Sequence, residues 1–169
     1  MRLLIFGNSG SGKTSFARAV AASHRLPHLD LDSIVWEPHQ VAVQRPSQDI
    51  SDSLRAFLAS KAAWVIEGCY GELIEAASHA CTELHFLNPG LEMCLLNNQR
   101  RPWEPSKYSS LSEQNAMLPA LQAWVSAYYT RGDSWSYREH RRIFDAFLGA
   151  KTEHTCPTVP LSGTDTALA

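Results

Sequence analysis

The chain has 169 residues, 44% of them hydrophobic and 19% charged, a composition that fits one globular domain and excludes disordered, collagenous and coiled-coil chains. Its 15 Lys and Arg against 17 Asp and Glu give a formal charge of -2, without the basic excess of a protein that lives on nucleic acid. Arg outnumbers Lys among the basic residues, so planar, bidentate recognition of anions is available while a diffuse Lys coat is not.

Leu3 to Phe6 is a short continuous apolar run stopped by Gly7, the pattern of a buried parallel strand. A helix from about Lys13 to Ser23 follows, with Phe16, Ala19 and Val20 on one face. His28 to Leu31 reads as a second strand after Pro27. Ile50 to Ser60 reads as a helix with Ile50, Leu54, Phe57 and Leu58 on one face and Asp49 or Ser51 as its cap. Trp64 to Ile66 is a third strand stopped by Gly68, Leu73 to Ala80 a short helix, and Glu83 to Leu87 a fourth strand. Asn88-Pro89-Gly90 turns the chain into a helix from about Leu91 to Gln99. Arg100 to Asn115 is rich in Pro, Ser and charge and is expected to be an exposed, mobile segment. Ser110-x-x-Glu113 fits a capping box, opening a helix through Leu121, Trp124, Val125 and Tyr128 that Pro119 is expected to kink or break. A last helix, about Tyr137 to Leu148, leads to a fifth, edge strand at Lys151 to Thr155, and a loose tail is expected from Cys156 on.

This alternation predicts a single α/β domain over residues 1–155, with residues 156–169 as tail. Its core is an about five-stranded parallel sheet with helices on both faces, the three-layer sandwich of P-loop NTPases, with a short lid at about 100–115. Ligands then belong at the C-terminal ends of the strands. Cys69, Cys81, Cys94 and Cys156 show no C-x-x-C spacing and read as reduced thiols. No stretch approaches the roughly 18–20 apolar residues of a membrane span, and the opening apolar run is too short for a signal peptide, so a soluble cytoplasmic protein is expected.

The chemical features fall at those strand ends. Gly7-Asn8-Ser9-Gly10-Ser11-Gly12-Lys13-Thr14 matches G-x-x-x-x-G-K-[ST] in full, between a predicted strand and a predicted helix. Its glycines let successive backbone amides surround a phosphate at the positive end of the helix. Lys13 would sit over the β- and γ-phosphates of ATP, and the Thr14 hydroxyl would ligate Mg²⁺. Asp30 and Asp32 lie two apart; from an extended chain both would face the cleft, one for the magnesium shell and the other to orient a substrate hydroxyl or take its proton. Glu67-Gly68 ends the third strand, where P-loop proteins place an acid that reaches Mg²⁺ through water. Arg100 and Arg101 enter the mobile segment, where a closing lid would exclude water and an Arg would stabilise charge on the transferring group. Trp36, Arg45 and Arg55 lie in the segment expected to form an acceptor pocket, and Arg131 is a candidate for gripping an anionic substrate. Arg138, Arg141 and Arg142 share a helix face that reads as solvated. The seven histidines form no ligand cluster, so no metal beyond Mg²⁺ is expected, and the absence of Asn-Lys-x-Asp argues against a GTPase.

These residues resemble the small P-loop kinases of the nucleoside-monophosphate-kinase and shikimate-kinase type over about residues 1–155, through Gly7–Thr14, the Asp30-Leu31-Asp32 pair, Trp64-Val65-Ile66-Glu67-Gly68 and Arg101-Pro102. The segments around Trp36 and Trp64 look closest to the adenylate-kinase-like group labelled DNA topology modulation proteins. Shikimate kinases share the Asp pair, whose second member meets the substrate hydroxyl, and the Arg-Pro at the lid, which carries those roles to Asp32 and Arg101. Thr14, Asp30 and Glu67 are expected at the metal, and Asp30, Asp32, Trp36, Gly68 and Arg131 toward the acceptor. The chain departs from shikimate kinases at Glu67-Gly68-Cys69-Tyr70, where they have a triple glycine, and adenylate kinases have Asp-Gly where this chain has Glu67-Gly68. The resemblance implies Mg²⁺-dependent transfer of the γ-phosphate of ATP to a small acceptor, either a nucleotide or a hydroxylated metabolite. The competing expectation is a nucleotide-binding regulatory ATPase module, DNA-associated or not, with no dedicated acceptor. Oligomeric state stays open.

Overall fold

Leu3, Leu4, Ile5 and Phe6 have at most 2% of their surface exposed, and their side chains divide between two hydrophobic clusters. Leu4 and Phe6 join Trp64, Ile66, Leu84 and Phe86 on one side, whereas Leu3 and Ile5 join Ala17, Val20 and Val65 on the other. Alternation along a strand with both sides apolar means a sheet covered on both faces. The computed structural model describes residues 1–38, 40, 42–105 and 107–156. Among these, strands β1 (Arg2–Gly7), β2 (His28–Asp30), β3 (Trp64–Gly68), β4 (Glu83–Leu87) and β5 (Ala150–His154) form one sheet. Its order is β2-β3-β1-β4-β5 and every pairing is parallel.

Helix α1 (Lys13–His24) covers the Leu3/Ile5 face. The opposite face is covered by α3 (Ser47–Ser60), α4 (Gly71–Ser78) and α7 (Tyr137–Ala146), which supply Ile50, Leu54, Ile74, Ala77, Ile143 and Phe144 to the larger cluster. A one-turn helix α2 (Asp32–Val35) precedes α3, and α5 (Leu91–Gln99) packs on α6 (Leu111–Ser126). The chain order reverses around β1: β2 and β3 lie on one side of it and β4 and β5 on the other. This opens a crevice beyond the strand ends. Register places Ile5 beside Glu67 and Glu67 beside Asp30, so both acids stand at that edge next to the loop after Gly7.

Three local expectations change. Helix α3 starts at Ser47, not near Ile50, and has Pro46 at its cap with φ -54° and no side-chain cap. Proline's fixed φ suits a helix start, which leaves Asp49 and Ser51 inside the first turns. Helix α6 runs unbroken through Pro119. Both Pro119 and Asn115, whose carbonyl loses its helical partner, are exposed, so water can serve that carbonyl. The helix starts where the capping box placed it, with the Glu113 amide donating to Ser110 Oγ at 3.1 Å, and continues as a 3₁₀ turn over Ala127–Tyr129. Asp32 is not on extended chain but opens α2, and its amide donates to Asp30 Oδ1 at 2.9 Å. The expected tail from residue 157 on lies outside the described residues.

Candidate active site

The Gly7–Thr14 loop joins β1 to α1, and its glycines are required where they stand. Gly12 caps α1 at φ +95° and Gly10 sits at φ +78°; a Cβ on Gly10 would lie 2.2 Å from the Cys94 carbonyl oxygen. Buried Asn8 braces the loop. Its Nδ2 donates to the Val125 carbonyl at 3.2 Å and its Oδ1 accepts from the Ser9 amide at 2.9 Å. Asn97 Nδ2 donates to the Gly10 carbonyl at 2.8 Å, and Ser9 Oγ to Asn98 Oδ1 at 3.2 Å. Lys13 is buried and folds back to donate to the Asn8 carbonyl at 3.0 Å, which sets its ammonium within the loop.

Glu67 is 1% exposed, and its Oε1 has no hydrogen-bond partner among the described residues; His28 Nε2 is 4.0 Å away. Burial, then the neighbouring Asp30 charge, push its carboxyl up to about 7, with Lys13 and the Thr14 hydroxyl acting the other way. An orphaned buried carboxylate oxygen beside a hydroxyl is a hard-oxygen donor set that fits Mg²⁺, with Thr14, Asp30 and Glu67 as its candidate holders. Among the described residues no three His, Cys, Asp or Glu come together as a metal-holding group.

The Asp pair is split by its surroundings. Asp32 Oδ2 accepts from Lys107 Nζ at 2.7 Å, and Asp32 Oδ1 accepts from the Tyr70 hydroxyl. Burial works to raise the Asp32 carboxyl, but the charge and hydrogen bond of Lys107, the Tyr70 hydrogen bond and Lys13 outweigh it and hold the group below its ordinary range. Asp30 goes the other way, raised by burial and by the Asp32 charge. Two neighbouring carboxyls whose pKa values are driven apart are suited to different tasks, and Asp32 is the one kept ionised. Behind it, Trp36 Nε1 donates to the Tyr70 hydroxyl at 2.6 Å, and the Trp36, Tyr70 and Trp135 rings meet edge to face with centroids 5.3 to 6.4 Å apart.

The segment after α5 reaches over this edge. Arg101 donates to Glu104 at 3.0 Å and lies 3.5 Å from Ser9 Oγ, while Glu104 is also 3.3 Å from Lys107. Arg100, offered equally by the sequence, is exposed, with its backbone amide closing α5 on Leu96. Arg131 is turned inward. Its guanidinium donates to the Trp124 carbonyl at 3.0 Å and the Trp135 carbonyl at 2.6 Å, faces Asp133 and lies 3.7 Å from the Trp124 ring centre. Two of its donors serve its own chain, while its buried Nε has no hydrogen-bond partner among the described residues and lies 3.3 Å from Asp133. Gly68 likewise makes room for protein, since a Cβ there would meet the Leu31 side chain at 2.7 Å.

Between α3 and α4 lies a cavity of about 450 Å³, whose lining includes Tyr70 and Trp135. Tyr70 connects it to Asp32, because the same side chain walls the cavity and donates to the carboxylate. Sequence reasoning missed Lys107 and Tyr70. The signal for Lys107 was its position as the only lysine of the segment 100–115; for Tyr70 no spacing rule pointed to the site.

No protein-family model matches the chain, and no curated protein matches it. Solved structures do. A protein from Chloroflexus aurantiacus J-10-fl assigned provisionally to the kinases is 15% identical with a TM-score of 0.51, over 90% of this chain and 86% of that one. A sugar kinase from Janibacter sp. HTCC2649 is 17% identical with a TM-score of 0.47, over 90% and 84%. A shikimate kinase from Acinetobacter baumannii in complex with shikimate is 16% identical with a TM-score of 0.43, over 84% and 90%. The five-stranded all-parallel sheet with the Gly7–Thr14 loop after its central strand is an α/β fold shared with the Chloroflexus aurantiacus protein.

Proposed function

We propose that the chain is a small-molecule kinase that transfers the γ-phosphate of ATP, with Mg²⁺, to a hydroxyl- or phosphate-bearing acceptor. The observation that carries this reading is Asp32 held by Lys107 and Tyr70 just beyond Asp30, whose strand neighbour Glu67 lies beside the strand that leads into the Gly7–Thr14 loop. Lys13 and the loop amides bind and orient the phosphates, and Thr14, Asp30 and Glu67 hold the metal, which when bound offsets phosphate charge. The acceptor sits in the cavity beside Tyr70, with Trp36 and Trp135 setting its wall. Asp32 accepts the hydroxyl proton as the acceptor oxygen bonds to the γ-phosphorus, the bond to the bridging oxygen breaks, and ADP leaves. Arg101, already beside Ser9, stabilises charge on the transferring group, and the segment 101–110 excludes water. Among the described residues no helix is long and apolar enough to cross a membrane.

ADP release is measured with nucleosides, nucleotides, polyols and hydroxy acids, each against water as the only acceptor. A large acceptor-dependent rise supports the kinase. A flat response across the whole panel overturns it in favour of a regulatory ATPase.

A further inference from the structure

The acceptor cavity is charge-poor. Ile50, Leu54, Leu58 and Leu73 form its apolar wall, Tyr70 and Trp135 its aromatic one, and Gln44, Ser47 and Ser51 its uncharged polar rim. Arg55 is the one cation among the described residues that line it. Its guanidinium donates to Asp52 at 2.8 Å and is mostly solvent-exposed. Glu72 is the other charged lining residue, and among the described residues it has no ion-pair partner.

The cations near the cavity are engaged elsewhere. Arg45 donates to the Ile34 carbonyl at 3.3 Å, Arg131 to the Trp124 and Trp135 carbonyls, and Arg142 pairs with Glu75 and Glu139. On the Asp32 side, Lys107 lies between Asp32 and Glu104. A carboxylate or phosphate drawn against the leucine and aromatic wall would lose its hydration there, because among the described lining residues the one cation, Arg55, stands at the solvent-exposed rim with Asp52, and Glu72 offsets its charge. A cyclic molecule with one apolar face would instead lie against the leucines and rings, with its hydroxyls reaching the Ser and Gln rim and the side of Tyr70 that leads to Asp32.

On these grounds, and resting on the kinase reading above, we infer that the acceptor is an uncharged cyclic alcohol of nucleoside character rather than a nucleotide or a sugar acid. Discrimination comes from the lack of a buried counter-charge among the described lining residues more than from shape.

The test needs no turnover. Binding to the nucleotide-free protein is measured calorimetrically for pairs that differ by one ionised group: thymidine and thymidine 5′-monophosphate, adenosine and AMP, methyl shikimate and shikimate. At least one uncharged member is expected to bind tenfold or more tightly than its anionic partner. That binding is expected to fall at least tenfold in Leu73→Trp, which fills the cavity. If that variant melts abnormally, Ser51→Trp on the exposed rim replaces it.

Equal or tighter binding by the anions overturns the inference, and so does absence of binding by every uncharged member. The two readings fail separately. Phosphorylation of AMP or shikimate would keep the kinase and end this inference. Cavity-dependent binding of an uncharged member with no ADP released would keep the inference and end the kinase.

Discussion

The Lys107 ammonium lies 2.7 Å from Asp32 Oδ2, across 75 positions of sequence. The pair ties the segment after α5 to the start of α2 and holds Asp32 ionised as pH falls. In Lys107→Met this support is lost, so the Asp32 carboxyl titrates at higher pH and the acidic limb of the kcat/KM profile moves upward. Activity is expected to fall on the order of 10- to 100-fold, because the base is also less well positioned. Lys107→Arg keeps the charge and restores most of the acidic limb. An unmoved limb in Lys107→Met would show that Asp32 is not the titrating base.

Lys13→Ala removes the buried ammonium that donates to the Asn8 carbonyl. ADP release is expected to drop on the order of 10³-fold, in line with loss of a preorganised charge at the reacting group. The fold survives, because the sheet and the Asn8 and Asn97 braces do not depend on Lys13. Circular dichroism and ADP release on the same sample check both halves.

Glu67 holds a carboxyl pushed from an ordinary 4.5 to about 7 by burial and then by Asp30. Between those values the native protein keeps a proton that the unfolded chain has lost, so this group lowers stability as pH rises across the interval. Glu67→Gln removes that component. The melting temperature of wild type minus that of Glu67→Gln should therefore decrease as pH is raised from about 4.5 to about 7. A difference independent of pH would place the proton on another group.

Arg131→Lys loses the fork that reaches two backbone carbonyls and the stacking on Trp124. A cost of about 2 kcal/mol in urea unfolding is expected, with little change in KM for the acceptor. A raised KM at unchanged stability would return Arg131 to the binding site.

Legibility in the sequence followed the range of the interactions. The Gly7–Thr14 loop was readable because its glycines, Lys13 and Thr14 fall within eight consecutive residues, and the strands because β1 and most of β3 are continuous apolar runs and β4 carries Leu84, Phe86 and Leu87. The Ser110–Glu113 cap was readable for the same local reason. The short helix at Asp32 was hidden: Asp30 turns the chain with its own side chain, which no periodicity reports. Lys107 on Asp32, Tyr70 between Asp32 and Trp36, and the turning-in of Arg131 join residues far apart in sequence, so only the fold brings them together. Pro119 misled because its effect depends on which side of the helix faces water.

Gly10 packs against the Cys94 carbonyl, and Asn97 and Asn98 bond to Gly10 and Ser9, so the phosphate loop and helix α5 share one rigid mount. Strain at Gly10→Ala, expected to cost at least about 2 kcal/mol in urea unfolding, would spread into both. Any opening of the site therefore has its hinge beyond Asn98. In the proposed kinase any lid movement would fall after α5, while the Gly7–Thr14 loop stays fixed to that helix.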